Sequence, residues 1–241
     1  MMHALKEAWT PLAVTPLLWL AVTLFAYLMG QWVQKLCRHS PVANPVLIAI
    51  VLVAILLVIT DTPYDEYFAG AQFIHFLLGP ATVALAIPLA LNAAHIKSRL
   101  RGVGLALIAG AITTTISGVV VVWMLGGDRS VAFSMAPKSV TTPIAMAVAQ
   151  EVGGVPALTA ALAIAGGIFA AVIGQTVLRW LRVDDWRAHG LAAGVAGSGV
   201  AAAQVAPLNG LAAAFAAVGI ALNGLLTALI VPLLAYLWPA S

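Results

Sequence analysis

The chain has 241 residues, of which 63% are hydrophobic and 8% charged, with a net charge of +3 and a mean hydropathy of +1.06. A soluble domain carries about 25% charged residues, so this composition excludes a water-facing globular surface and predicts an all-α polytopic membrane protein. The small positive excess gives no nucleic-acid face, and the single Cys37 excludes an internal disulfide or a thiol metal site.

The apolar segments fall at 11–34, 44–60, 71–95, 102–125, 131–151, 155–181, 187–206 and 208–238. At about 20 residues per crossing, this predicts about 7–8 transmembrane segments in a single integral membrane domain, 1–241. The first apolar run is too long for the core of a cleaved signal and is taken as a transmembrane helix. The connections hold most of the charge. Lys35, Arg38 and His39 follow the first segment, Asp61, Asp65 and Glu66 the second, and Lys97, Arg99 and Arg101 the third. Asp128 and Arg129 follow the fourth, and Arg179, Arg182, Asp184, Asp185 and Arg187 lie between the sixth and seventh.

Basic connections stay on the cytoplasmic side. That places 35–43, 96–101 and 179–187 inside, and 61–70 and 126–130 outside. An odd number of crossings must then separate residue 130 from residue 179, yet two apolar segments lie there. Segment 155–181 is long and clean. Segment 131–151 is broken by Pro137 and Pro143 and holds Lys138, so it is expected to enter and leave on one side as a re-entrant element. A full crossing against the charge rule is the alternative.

Lys138 carries the main chemical signal. A cation in hydrocarbon costs roughly 2.5–3.5 kcal/mol on insertion scales, so its presence asks for a function. Ser139, Thr141 and Thr142 surround it, and prolines free backbone groups to face a polar solute. The reading is an anion half-site of Lys138, Ser139, Thr141, Thr142 and Pro143. The opposing reading has the lysine snorkelling and the hydroxyls bonding their own helix.

Other positions are less specific. Asn44-Pro45 is a helix cap with proline at its first position, or an amide at the mouth of a broken helix. Thr113, Thr114, Thr115 and Ser117 cannot share one face, and most should bond carbonyls four residues back. Gly153-Gly154-Val155-Pro156 marks a tight turn. Four glycines in 190–199 mean either an unwound segment or close helix packing; Ser198 and Gln204 beyond them are bundle contacts or site residues.

Leu78–Pro88 can be laid on Met135–Ala145, with Pro80 on Pro137, Val83 on Val140 and Ile87 on Ile144. Gly79, Pro80, Pro137, Gly153 and Gly154 are the expected helix breaks, and Thr82 would be the first half's site hydroxyl. Paired broken segments point to an inverted-repeat transporter, with an N-terminal helix at 1–40 and repeats at 41–130 and 131–241. No hydrolase, zinc-protease or P-loop motif occurs, so no enzyme activity, metal or cofactor is expected.

Pro137-Lys138-Ser139-Val140-Thr141-Thr142-Pro143-Ile144-Ala145-Met146, followed by Gly153-Gly154-Val155-Pro156-Ala157, resembles the signature of the LrgB/CidB family. Asn44-Pro45, Tyr64-Asp65-x-Tyr67-Phe68-x-Gly70 and Leu78–Leu89 match it in order, so the resemblance spans roughly 40–238. It implies a multi-pass protein of the bacterial inner membrane with a smaller LrgA/CidA-type partner. It also implies either holin/antiholin-like control of murein hydrolases and autolysis, or carriage of small monocarboxylates such as glycolate, glycerate or pyruvate. A homo-oligomer, a dimer first, is expected. One departure stands out: the family's Ser-His-x-x-Gly-Thr-Ala-type motif and following acid are replaced here by Ser198 and Pro207 at the titratable positions.

Overall fold

The computed structural model describes residues 16–37, 43–77 and 100–238, together with the single positions Pro80, Val83, Ile87 and Ala90. All regular structure among them is helical. The helices are α1 Pro16–Leu36, α2 Pro45–Thr60, α3 Tyr64–Phe76, α4 Leu100–Met124, α5 Arg129–Met135, α6 Thr142–Glu151, α7 Pro156–Trp180, α8 Trp186–Val205 and α9 Gly210–Leu237. Four of the described helices, α1, α4, α7 and α9, are long and apolar enough to cross a membrane. The chain divides into two compact units, residues 1–84 and 85–241.

In the first unit, Asn44 caps α2 by accepting from the Val46 and Leu47 N–H groups at 2.9 and 3.3 Å. Ala26, Ala49 and Val53 form the α1–α2 contact. The α2 end is closed by Asp61 in the left-handed conformation (φ 55). The acidic stretch after it differs from the sequence expectation of a connection. Tyr64, Asp65 and Glu66 open α3, where the positive end of the helix dipole favours both carboxylates. Tyr67 then packs edge-on to Trp19 at 5.7 Å and meets the Thr23 hydroxyl at 3.1 Å.

The second unit is built on α4 and α9, which run in the same direction. Val103 and Leu107, early in α4, pack with Phe215 and Val218, early in α9. Val119, late in α4, packs with Val231 and Ala235, late in α9. Two excursions leave this pair and come back.

The first covers 129–154. Its helices α5 and α6 have only 7 and 10 residues, and residues 136–141 between them form turns. Pro137 has no N–H to continue α5, and Pro143 sits in the first turn of α6, where the missing donor is harmless. The chain returns to its start. The Val155 N–H donates to Ser134 Oγ at 2.7 Å while that hydroxyl donates to Ser130 O at 2.7 Å. A Cβ on Gly154 would lie 3.0 Å from the Ser134 nitrogen. Gly153 makes the turn possible with φ 83. The hairpin base is tied to the end of α9 by Arg129, which donates to Trp238 O and Ala235 O, both at 3.0 Å, with its guanidinium 5.0 Å above the Phe133 ring.

The second excursion covers 186–209. A Cβ on Gly190 would collide with Ala212 O, and one on Gly194 with Ala216 O, so the first half of α8 runs alongside the first half of α9. At Ser198 the backbone turns through φ 49, ψ −139, outside helical space. Ala202 and Val205 then pack on Ala212, Ala216 and Ile220. Positions on both sides of Ser198 therefore reach the same part of α9, which makes α8 a hairpin. Of the glycines that sequence alone left open, Gly190, Gly194 and Gly197 serve close packing, and the break falls on the serine between Gly197 and Gly199.

Candidate functional site

The two hairpins enter the middle of the second unit from opposite ends of α9, and both are held by Asn223. This amide lies halfway along α9 and is fully buried. Its Nδ2 donates to Ser139 O at 3.2 Å, in the first tip, and to Val195 O at 3.1 Å, in the second. Ser139 O lies in the turn between α5 and α6, and Val195 O lies three residues before the break at Ser198.

Lys138 lies in the same tip as Ser139. Its Nζ donates to Thr114 O, in the middle of α4, at 2.6 Å, and the Ser139 hydroxyl donates to Thr114 Oγ1 at 3.1 Å. Gly118 makes this seat possible: a Cβ there would lie 2.6 Å from the ammonium. The turn is held by the Lys138 N–H on Met135 O and the Val140 N–H on Pro137 O, both at 3.3 Å. Outside the apolar layer, the Val131 N–H and then the Ser130 hydroxyl hold the Asp128 carboxyl below its ordinary range, which keeps it anionic as the cap of α5.

A cavity of about 390 Å³ adjoins the lysine between α7 and α8. Lys138 lines it together with Gly166, Ala170, Ala196 and Ala201, and it extends to Gln175, His189 and Gln204. His189 Nε2 lies 2.7 Å from Val183 O, while its Nδ1 is buried without a partner. Lys138 borders this cavity from the turn, its carbonyl 3.9 Å from where a Cβ on Gly166 would lie, while its ammonium is turned to α4; a lysine on so flexible a stem can leave a carbonyl to hold an anion.

The residues expected from sequence are therefore distributed. Lys138 and Ser139 share Thr114, Ser198 forms the second tip, and Gln204 lines the same cavity as Lys138. Thr141 is the extended N-cap of α6 without a side-chain cap bond, and Thr142 and Pro143 begin that helix. Pro137 is buried in the first tip, and Gly153 and Gly154 sit at the hairpin base rather than at its tip. The Asn44 amide belongs to the first unit and is engaged with its own helix. Gly79 and Thr82 lie outside the described residues, and Pro80 is helical. Sequence reading missed Asn223, Thr114 as acceptor for Lys138, and Gly118. Asn223 had a readable signal: an amide in the middle of a 28-residue apolar helix is expensive unless it is bonded.

An all-helical membrane protein with two broken-helix hairpins joined at a lysine- and amide-bearing centre is the class this geometry defines. The chain matches the model of the LrgB-like family over residues 23–237 and belongs to that family. It is 30% identical over 220 residues to the antiholin-like protein LrgB of Bacillus cereus strain B4264 and to that of Bacillus anthracis strain A0248. Each match covers 91% of this chain and 96% of the relative. No solved structure matches the chain.

Proposed function

We propose that the protein is a secondary carrier or facilitator of small organic anions in the bacterial inner membrane, with Lys138 as counter-charge and Ser139, Thr141 and Thr142 as hydrogen-bonding partners. The observation that carries this is a lysine in a proline-broken turn that borders a cavity, its ammonium on Thr114 O in the middle of α4 instead of at a helix end where it could snorkel. In this reading α4, α7 and α9 cross the membrane and the two hairpins are re-entrant from opposite faces. Arg101 and Arg179 then lie inside and Asp128 outside, as the charge rule requires. With segments 11–34, 44–60 and 71–95 as crossings, six crossings and two re-entrant hairpins use all eight apolar segments. The cavity runs from Lys138 toward Gln175 and His189, the arginine-bearing end, so this conformation is open to the cytoplasm. The inverted repeat pairs the hairpin 129–154 with the segment around Leu78–Pro88.

The test is uptake by purified protein in liposomes. Glycolate, glycerate, lactate and pyruvate are offered in counterflow, and Lys138→Met is the control. Accumulation by wild type and none by the variant is the expected result. Full uptake by Lys138→Met would remove the lysine from the site, and no uptake of any small carboxylate would end the carrier reading for this chain alone.

The name of the Bacillus relatives favours a second reading: an antiholin-like regulator acting by assembly, as a homo-oligomer or with a smaller LrgA/CidA-type membrane partner. Lys138 would then be dispensable, and crosslinking in membranes would show large assemblies.

A further inference from the structure

Two sets of hydroxyls in the second unit contrast. Thr114, Ser134 and Thr159 donate to the carbonyl four residues back, at 2.9, 2.7 and 3.1 Å, the usual refuge of a hydroxyl in an apolar helix. Thr115, Ser198 and Thr227 are also buried, yet their oxygens have no partner. Asn223 Oδ1 joins them. Its amide orientation is fixed, because the two atoms facing Nδ2 are both carbonyl oxygens. Oδ1 therefore points away from them and can only accept. Native proteins leave few such atoms, and each asks for an explanation.

These four oxygens belong to one level of the molecule. Thr227 is one helical turn beyond Asn223 and shares its face. Leu107 packs with Phe215 and Val218, and Val119 with Val231, so Thr115 comes level with the Asn223–Thr227 turn. Ser198 follows Val195, whose carbonyl holds Asn223. The first halves of both hairpins end at this level, bringing the negative ends of their dipoles with them.

We propose that Thr115, Ser198, Asn223 and Thr227 bind a dehydrated sodium ion, at a site separate from the Lys138 ammonium. An acceptor-only amide oxygen repels an anion and suits a hard cation with oxygen ligands. All four ligands are neutral side chains, which match a monovalent ion better than a divalent one. Breaks in membrane helices supply further carbonyls to such ions. This proposal rests on the carrier reading in one respect. Lys138 and sodium repel each other in a medium of low dielectric, and an organic anion at Lys138 relieves that repulsion. Anion and sodium then raise each other's affinity by the same factor, which makes the carrier a symporter.

The experiment has two readouts. Thermal unfolding of the purified full-length protein is followed by tryptophan fluorescence in sodium, potassium or choline chloride at one ionic strength. The expected result is a rise in Tm specific to sodium, lost in Thr227→Val and in Thr115→Val, and restored in Thr227→Ser. No sodium shift, an equal shift in potassium, or an unchanged shift in both valine variants overturns the site; water filling the same space would give the first of these. If one valine variant fails to fold, the other decides. The second readout is carboxylate counterflow with sodium or choline on both sides, where sodium should stimulate at least about 5-fold, the lower range of such couplings. Equal counterflow in choline overturns the coupling and leaves the carrier reading standing. A sodium shift without counterflow in either medium supports the ion site and overturns the carrier reading.

Discussion

The hairpins 129–154 and 186–209 make the same excursion with different materials. The first is broken by proline on both sides of Lys138, and its base is fastened by Arg129 and Ser134. The second contains no proline before its tip, breaks at a serine with positive φ, and presses Gly190 and Gly194 onto α9. Proline removes a donor and so dictates where a helix must stop. Glycine allows close approach without dictating a break, and the break must then be held by the surroundings. One hairpin is thus broken by its own sequence and the other by its packing. The charged chemistry lies in the first, where the tip is fixed locally.

The largest expected effect comes from removing what joins them. Asn223→Leu deletes both amide hydrogen bonds, to Ser139 O and to Val195 O. Each lost hydrogen bond contributes about 0.5–1.5 kcal/mol, so a loss of several degrees in Tm is expected in the purified protein. A variant as stable as wild type would mean that the tips are held elsewhere. Lys138→Met acts on the first hairpin alone. Deleting a charged hydrogen-bonding partner from a buried contact costs about 2 kcal/mol or more, at least roughly a 30-fold loss in apparent affinity, which at carboxylate concentrations below the wild-type half-saturation leaves no accumulation to detect. The second hairpin is probed in the opposite direction by Ser198→Gly. Its φ of 49 and ψ of −139 belong to a region nearly confined to glycine, and such strain costs of order 1–3 kcal/mol. The variant should melt at a higher temperature while weakening any response that needs the Ser198 hydroxyl. An unchanged Tm would mean that the serine backbone is not strained.

The same contrast explains how much was legible in the sequence. The first hairpin was readable because proline acts locally: Pro137 and Pro143 mark where the helices on either side of Lys138 stop and start. The second was left open between an unwound segment and close helix packing. Its return path depends on Ala202 and Val205 meeting Ala212, Ala216 and Ile220, and a run of small residues does not reveal such a contact. Lys138 and Ser139 were recognised as polar residues out of place, but their acceptor on α4 was not. Thr114 O is a backbone atom and leaves no trace in side-chain identity. Asn44 read first as a cap and second as a site residue, and its two backbone donors account for the amide oxygen as a cap.

Gly118→Ala should have the smallest effect on stability and is the most discriminating of these changes. In a helix interior, alanine is favoured over glycine by about 1 kcal/mol. The added methyl would lie 2.6 Å from Lys138 Nζ but 3.2 Å from Met135 O. The closest atom is the end of a flexible side chain, so the ammonium can move while the backbone barely shifts. A Tm within a few degrees of wild type is therefore expected, together with displacement of the ammonium from Thr114 O and a clear loss of carboxylate uptake. Normal uptake with normal stability would show that the seat on α4 is incidental to function. Loss of both together would show that Gly118 serves the packing of α4 against the first hairpin rather than the placement of its charge.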